Sequence, residues 1–128
     1  MNKKDKDFVA WLELCGPEIA GDVCPGSSKA FYKNGCSRFF RRVVKTLGLE
    51  KDKYEIRFCA GGPAVAGEAI LHTDKVYFAV YVELGRVLYR KVNGLKDYTG
   101  GTNNYFPIRQ FSEENIVEIY RSMTNSID

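Results

Sequence analysis

Phe8, Trp11, Leu12 and Cys15 recur at i, i+3, i+4 and i+7, which sets them on one face of a helix. Asp5 or Asp7 can cap its start, and Gly16-Pro17 is expected to stop it. The residues that follow, PEIAGDVCPGSS, have the proline and glycine content of an irregular connection. Ser27 or Ser28 then offers an N-cap for the longest helix, predicted to end near Leu47 with Gly48 at its C-terminal cap position. Along it Cys36, Phe39, Phe40, Val43, Val44 and Leu47 fill a broad apolar sector, and Arg38, Arg41, Arg42 and Lys45 gather opposite. Gly35 inside this helix points to a close contact with a neighbouring element.

At Tyr54 the period changes to two: Tyr54, Ile56, Phe58 and Ala60 alternate with Glu55, Arg57 and Cys59. Ala69 to His72 and Val76 to Glu83 read as the next strands, joined at His72-Thr73-Asp74-Lys75, where Asp74 can bond its own backbone. Leu84-Gly85 leads to a fourth strand, Arg86 to Val92, closed by Asn93-Gly94. The connections are too short for crossover helices, so the strands should form an antiparallel meander. Ser112 caps a last helix with Ile116, Ile119, Tyr120 and Met123 on its buried face. The expectation is one α+β domain over residues 1–128, frayed at 1–6 and 125–128. Its two N-terminal helices, four-stranded antiparallel meander and C-terminal helix should leave the helices packed on one sheet face.

Composition changes this picture little. At 128 residues the chain can bury a single core without cross-links. The net charge of +3, from 19 basic and 16 acidic residues, is too small to announce a dedicated nucleic-acid binder. No apolar run approaches the roughly 18–20 residues needed to span a bilayer, and the charged start does not read as a signal peptide, so a cytoplasmic, non-membrane protein is expected. Cys15, Cys24, Cys36 and Cys59 lack zinc spacing and read as buried free thiols; neither metal nor cofactor is indicated.

Two glycine-rich connections could carry chemistry: Ala60 to Glu68, AGGPAVAGE, and Lys96 to Phe106, KDYTGGTNNYF. Freed backbone N–H groups there could form an anion nest, although neither matches a phosphate-loop or dinucleotide signature. In a meander alternate turns share an end of the sheet. The His72–Lys75 turn would then lie beside Asn93 to Asn104, collecting His72, Asp74, Arg90, Lys96, Tyr98, Thr99, Gly100, Gly101, Asn103 and Asn104. For a nucleotide, Lys96 with Arg90 or Lys91 would face phosphate, Tyr98 or Tyr105 would stack on the base, Asn103 and Asn104 would read its edge, and the glycines would allow close approach. The plainer alternative is a surface loop with Asn and Gly at positive φ. His72 with Asp74 could form an orienting pair for base catalysis, but no nucleophile is placed beside it and no activity is assigned.

The segments GGPAVAGEAILHTD and VLYRKVNGLKDYTGGTNNYFP resemble small phage and bacterial proteins with a GGPA…LH-x-D…LYR…G-x-KDYTGG-x-N pattern, over Gly61 to Pro107. The resemblance implies a phage-type accessory protein that binds a host molecule or nucleic acid. The leading expectation is a binder of a small anionic ligand, most plausibly a nucleotide or nucleotide-derived signal sequestered against host defence. A second is nucleic-acid binding through Arg38, Arg41, Arg42 and Lys45. A third is a protein inhibitor of a host enzyme, or a homodimer, using an open sheet face with Tyr77, Tyr81 and Tyr89.

Overall fold

The computed structural model describes the backbone of residues 2–20, 26–59 and 66–124, and the side chains of residues 2–14, 29–59 and 66–124. Helix α1 spans Lys3–Ala20 and α2 Gly26–Leu47. Strands follow as β1 Tyr54–Cys59, β2 Glu68–Thr73, β3 Val76–Tyr81, β4 Arg86–Gly94, β5 Asp97–Gly100 and β6 Asn104–Pro107, before α3, Glu113–Thr124.

Local signals explain most boundaries. Asn2, not Asp5 or Asp7, caps α1: its Oδ1 accepts the Asp5 N–H at 2.8 Å. The helix runs through Gly16-Pro17 instead of stopping there. Proline forfeits one backbone donor but already holds a helical φ. Gly48, at φ 69°, ends α2, with its N–H on the Lys45 carbonyl and the Leu49 N–H on that of Val44. This is the paired closure that a left-handed glycine permits. The expected Ser27 and Ser28 cap side chains, and residues 60–65 of the Ala60–Glu68 connection, lie outside the described set. The turn between β2 and β3 is built by Thr73, whose Oγ1 accepts from Val76 N at 2.8 Å and Lys75 N at 3.2 Å; Asp74 does not supply the expected bond.

The sheet departs from a flat four-stranded meander. Strands β1 to β4 pair antiparallel in chain order, and β5 and β6 then both return along the far edge of β4. Gly94 faces Asp97, Val92 faces Gly100 and Tyr89 faces Asn104, so the returning chain gains one residue on β4 at each step. Extra residues of this kind bend a strand and increase its twist. The result is an α+β fold with a curled antiparallel half-barrel of five to six strands.

One contact fixes the direction of curl. Arg57 Nη2 of β1 donates to the Tyr98 hydroxyl of β5 at 2.5 Å. In a flat sheet those strands would stand four spacings apart, about 19 Å. The face carrying Arg57 and Tyr98 is therefore concave, and the helices cover the convex face.

The main core fills that convex side: Tyr32, Phe39, Phe40 and Val43 of α2 and Phe8 and Leu12 of α1 pack with Leu71, Phe78, Val80 and Val87 of the sheet and Ile116 of α3. Buried Tyr32 ties α2 to the strands, its hydroxyl lying 2.9 Å from the Gly67 carbonyl oxygen and 3.0 Å from that of Val80. Tyr89 also packs on this core and not on the concave face where Tyr77 and Tyr81 stand, because it shares strand parity with Val87.

Gly35 is where α1 and α2 touch. A Cβ there would lie 2.2 Å from the Phe8 ring. Gly35→Ala should lower unfolding free energy by about 1–3 kcal/mol despite its better helix propensity, measured by urea denaturation.

Candidate functional site

Strand register arranges the concave face into transverse rows. Glu55 faces His72, His72 faces Tyr77 and Tyr77 faces Arg90, which donates from Nη1 to Asn103 Oδ1 at 3.1 Å. The adjacent row runs Arg57, Ile70, Ala79, Leu88, Tyr105. Beyond it Cys59 faces Glu68, and Tyr81 faces Arg86. The middle row supplies an apolar floor of Ile70, Ala79 and Leu88, buried together with Tyr77 and Val92. Above it stand rings and charges: Tyr98 is half exposed, and the Arg86 guanidinium lies 3.9 Å from the Tyr105 ring centroid.

His72 is fully buried, between Tyr77 and Tyr98 at centroid distances of 5.1 Å each, with 5.6 Å between the two tyrosine rings. With Nε2 carrying the proton, it donates to the Gly94 carbonyl at 3.1 Å, which leaves buried Nδ1 without a protein partner. Burial lowers its proton affinity most, and the Arg57 charge adds to this. The Gly94 bond and the carboxylates of Glu55 and Asp97 oppose it. The net direction is down, so the ring is neutral at pH 7. Burial likewise raises the Tyr77 and Tyr81 hydroxyls and the Glu68 carboxyl.

Arg90 is held without a carboxylate. Its Nη2 donates to the Gly101 carbonyl at 2.9 Å, its Nη1 to Asn103, and its Nε is buried without a partner. Arg57, by contrast, pairs with Glu55 at 2.8 Å.

The expected cluster is divided by this geometry. His72 and Tyr98 meet, and Arg90, Gly101 and Asn103 meet. Lys96 sits exposed at the β4–β5 hairpin tip with φ 64°. Thr99 turns to Asp97, with its hydroxyl 2.6 Å from Oδ1, and accepts from Asn93; these Thr99 bonds hold the Asp97 carboxyl below its usual range. Asn104 bonds the Thr102 carbonyl and pairs with Tyr89, well back from the sheet end. Asp74 makes no bond to His72, whose described hydrogen bond is to Gly94. The glycine pair is occupied by packing: a Cβ on Gly100 would lie 2.9 Å from the Lys91 carbonyl oxygen, and one on Gly101 2.9 Å from Lys91 Cβ. Sequence reasoning left Glu55, Arg57, Glu68 and Tyr77 out of the ligand cluster. Alternation put Tyr77 on a face, but only register tells which residues stand beside it.

The basic stripe of α2 is partly internal. Arg42 bridges three helices, with Nη2 2.7 Å from Asp5 of α1 and Nε 3.0 Å from Glu113 of α3, over the Phe39 ring. Arg38 lies over the Phe8 ring with a buried Nε. Arg41 and Lys45 are exposed. The corresponding expectation for cysteine divides too: Cys36 is a buried free thiol and Cys59 an exposed one, and the side chains of Cys15 and Cys24 lie outside the described set.

A cleft of about 340 Å³ opens at the Glu68 end of the concave face, lined by Cys59, Gly67, Glu68, Tyr81, Val82, Glu83 and Leu84. No described helix is long and apolar enough to cross a membrane, and among the described residues no His, Cys, Asp or Glu cluster could hold a metal ion.

Two outcomes follow from these environments. Arg42→Ala should destabilise by about 2–3 kcal/mol, because it leaves the buried Asp5 carboxylate unpaired, whereas Arg41→Ala should stay within about 0.5 kcal/mol in the same denaturant titration. His72, the single histidine, should titrate by NMR with a midpoint below about 6.5. Its folded pKa is depressed, so its contribution to stability is complete above the unfolded value and is lost as pH falls through about 6.5 toward the folded one. That part of the pH dependence should vanish in His72→Gln.

No protein family, curated protein or solved structure matches the chain.

Proposed function

We propose that this chain is a binding protein for a small anionic ligand with a planar ring, a nucleotide or nucleotide-derived signal, taken up on the concave face of the half-barrel. Arg90 carries the reading. Its guanidinium rests on two neutral carbonyl acceptors, so its charge is uncompensated by any bonded carboxylate in a partly buried site. A phosphate supplies the paired oxygens to which such a fork donates best. Tyr98 and Tyr105, both substantially exposed, offer stacking surfaces on the same face.

The floor is covered by its own rim, so uptake requires the Arg57–Tyr98 contact to part. That contact is one hydrogen bond on a half-exposed ring, with a net worth of about 1–2 kcal/mol, within what a ligand's own contacts replace. In a phage-type accessory protein, sequestration of a host signalling nucleotide is the corresponding role. The nucleic-acid alternative retains Arg41 and Lys45 but loses much of its basis, since Arg42 is committed to two carboxylates.

Thermal-shift measurements with mono-, di- and cyclic nucleotides test the proposal. A ligand at 100 times its Kd adds about 2.7 kcal/mol, a rise of several degrees. Arg90→Gln should abolish that rise and Arg41→Gln should leave it. Absence of a shift with every nucleotide at millimolar concentration would overturn it.

A further inference from the structure

Resting on the nucleotide reading, we infer that Glu68 reads the far end of the ligand, so that the site selects bases bearing an exocyclic amino group. The rows of the concave face are two residues apart, about 6.7 Å, and Arg90 on β4 and Glu68 on β2 also stand two strand spacings apart, so about 16 Å separates their backbones. Once both side chains extend over the floor, the gap between them is on the scale of a nucleotide from its phosphate to the outer edge of its base. Between them lies the row centred on Ala79, whose small side chain between Ile70 and Leu88 makes the lowest, most apolar part of the face. A base seated over Ala79 with its phosphate at Arg90 presents its outer edge to Glu68.

Glu68 is suited to that edge. It lines the 340 Å³ cleft, and it shares strand parity with Ile70 and His72, which places it on the concave face. Burial already penalises its charged form, and no donor within the described residues satisfies it. An ionised carboxylate is acceptor-only. It can take the N–H of an amino group and repels a carbonyl oxygen at the same position. A site built to pair one polar group discriminates strongly against a ligand that leaves that group unpaired. Glu83, on the same cleft wall, adds to the repulsion of carbonyl edges.

Calorimetry with matched pairs, adenosine against inosine monophosphate and cytidine against uridine monophosphate, tests this on the wild-type protein, Glu68→Gln, Glu68→Ala and Arg90→Gln. The wild type should prefer the amino member of each pair by about tenfold or more. Both Glu68 variants should bring the members within about threefold of each other, and Arg90→Gln should weaken both alike. Equal wild-type affinities within a pair, or an unchanged preference in the Glu68 variants, would overturn the inference while leaving the trough as a nucleotide site. If neither member of any pair binds the wild type, the trough reading falls and this inference falls with it.

Discussion

Arg57 and Tyr98 touch across a sheet whose first and fifth strands they occupy, and almost every property of the concave face depends on the curl that lets them meet. A flat sheet of this sequence would leave Ile70, Ala79 and Leu88 open to water, since no described helix joins their cluster. Curled, the sheet closes its own side chains over that floor, and the three come to 5% exposure or less. The same bend brings His72 of β2 within 3.1 Å of the Gly94 carbonyl at the end of β4, although β3 lies between those strands. The bend has a local cause in the two residues gained by β5 and β6 on β4, and Gly100 and Gly101 admit that close approach because any Cβ would strike Lys91.

The convex side supplies the stability that the concave side does not maximise. There α2 lays Tyr32, Phe39, Phe40 and Val43 onto the sheet, and Phe111 packs tilted against Phe39 and edge-on against Phe40. Arg42 then locks the helical layer by joining α1 and α3 through Asp5 and Glu113. With cohesion placed there, the opposite face can hold groups that a core would exclude: a neutral, half-satisfied histidine, an arginine resting on carbonyls, and a desolvated carboxylate. Of the buried side-chain atoms without a partner among the described residues, His72 Nδ1 and Arg90 Nε stand on this face, and Asp5 Oδ1 and Arg38 Nε lie in the helical layer.

The helices and the first four strands were legible because their signals are local. Periodicity at Phe39, Phe40, Val43 and Val44 marks α2, Gly48 its end, and Ser112, whose Oγ accepts the Asn115 N–H, the start of α3. Strands β5 and β6 were not, because Asp97–Gly100 and Asn104–Pro107 are short, polar and glycine-bearing, and are strands only by virtue of β4 beside them. The assembly of the candidate site was hidden for the same reason. Lys96 and Asp74 are near His72 in turn order yet neither bonds it, while Tyr77, Arg57 and Glu68 join its face by register.

The sequence by itself therefore determined which segments are helix, which alternate, and which residues carry charge or rings, since each follows from chemistry within a few neighbours. Tertiary structure alone decided the sheet's curl, the rows across it and the meeting of His72 with Tyr98. Those depend on pairing between residues far apart in the chain and on two bulges whose effect appears only when a strand lies alongside. KDYTGGTNNYF holds both lessons: its composition announced close backbone approach, and the fold revealed that the backbone approached is its own.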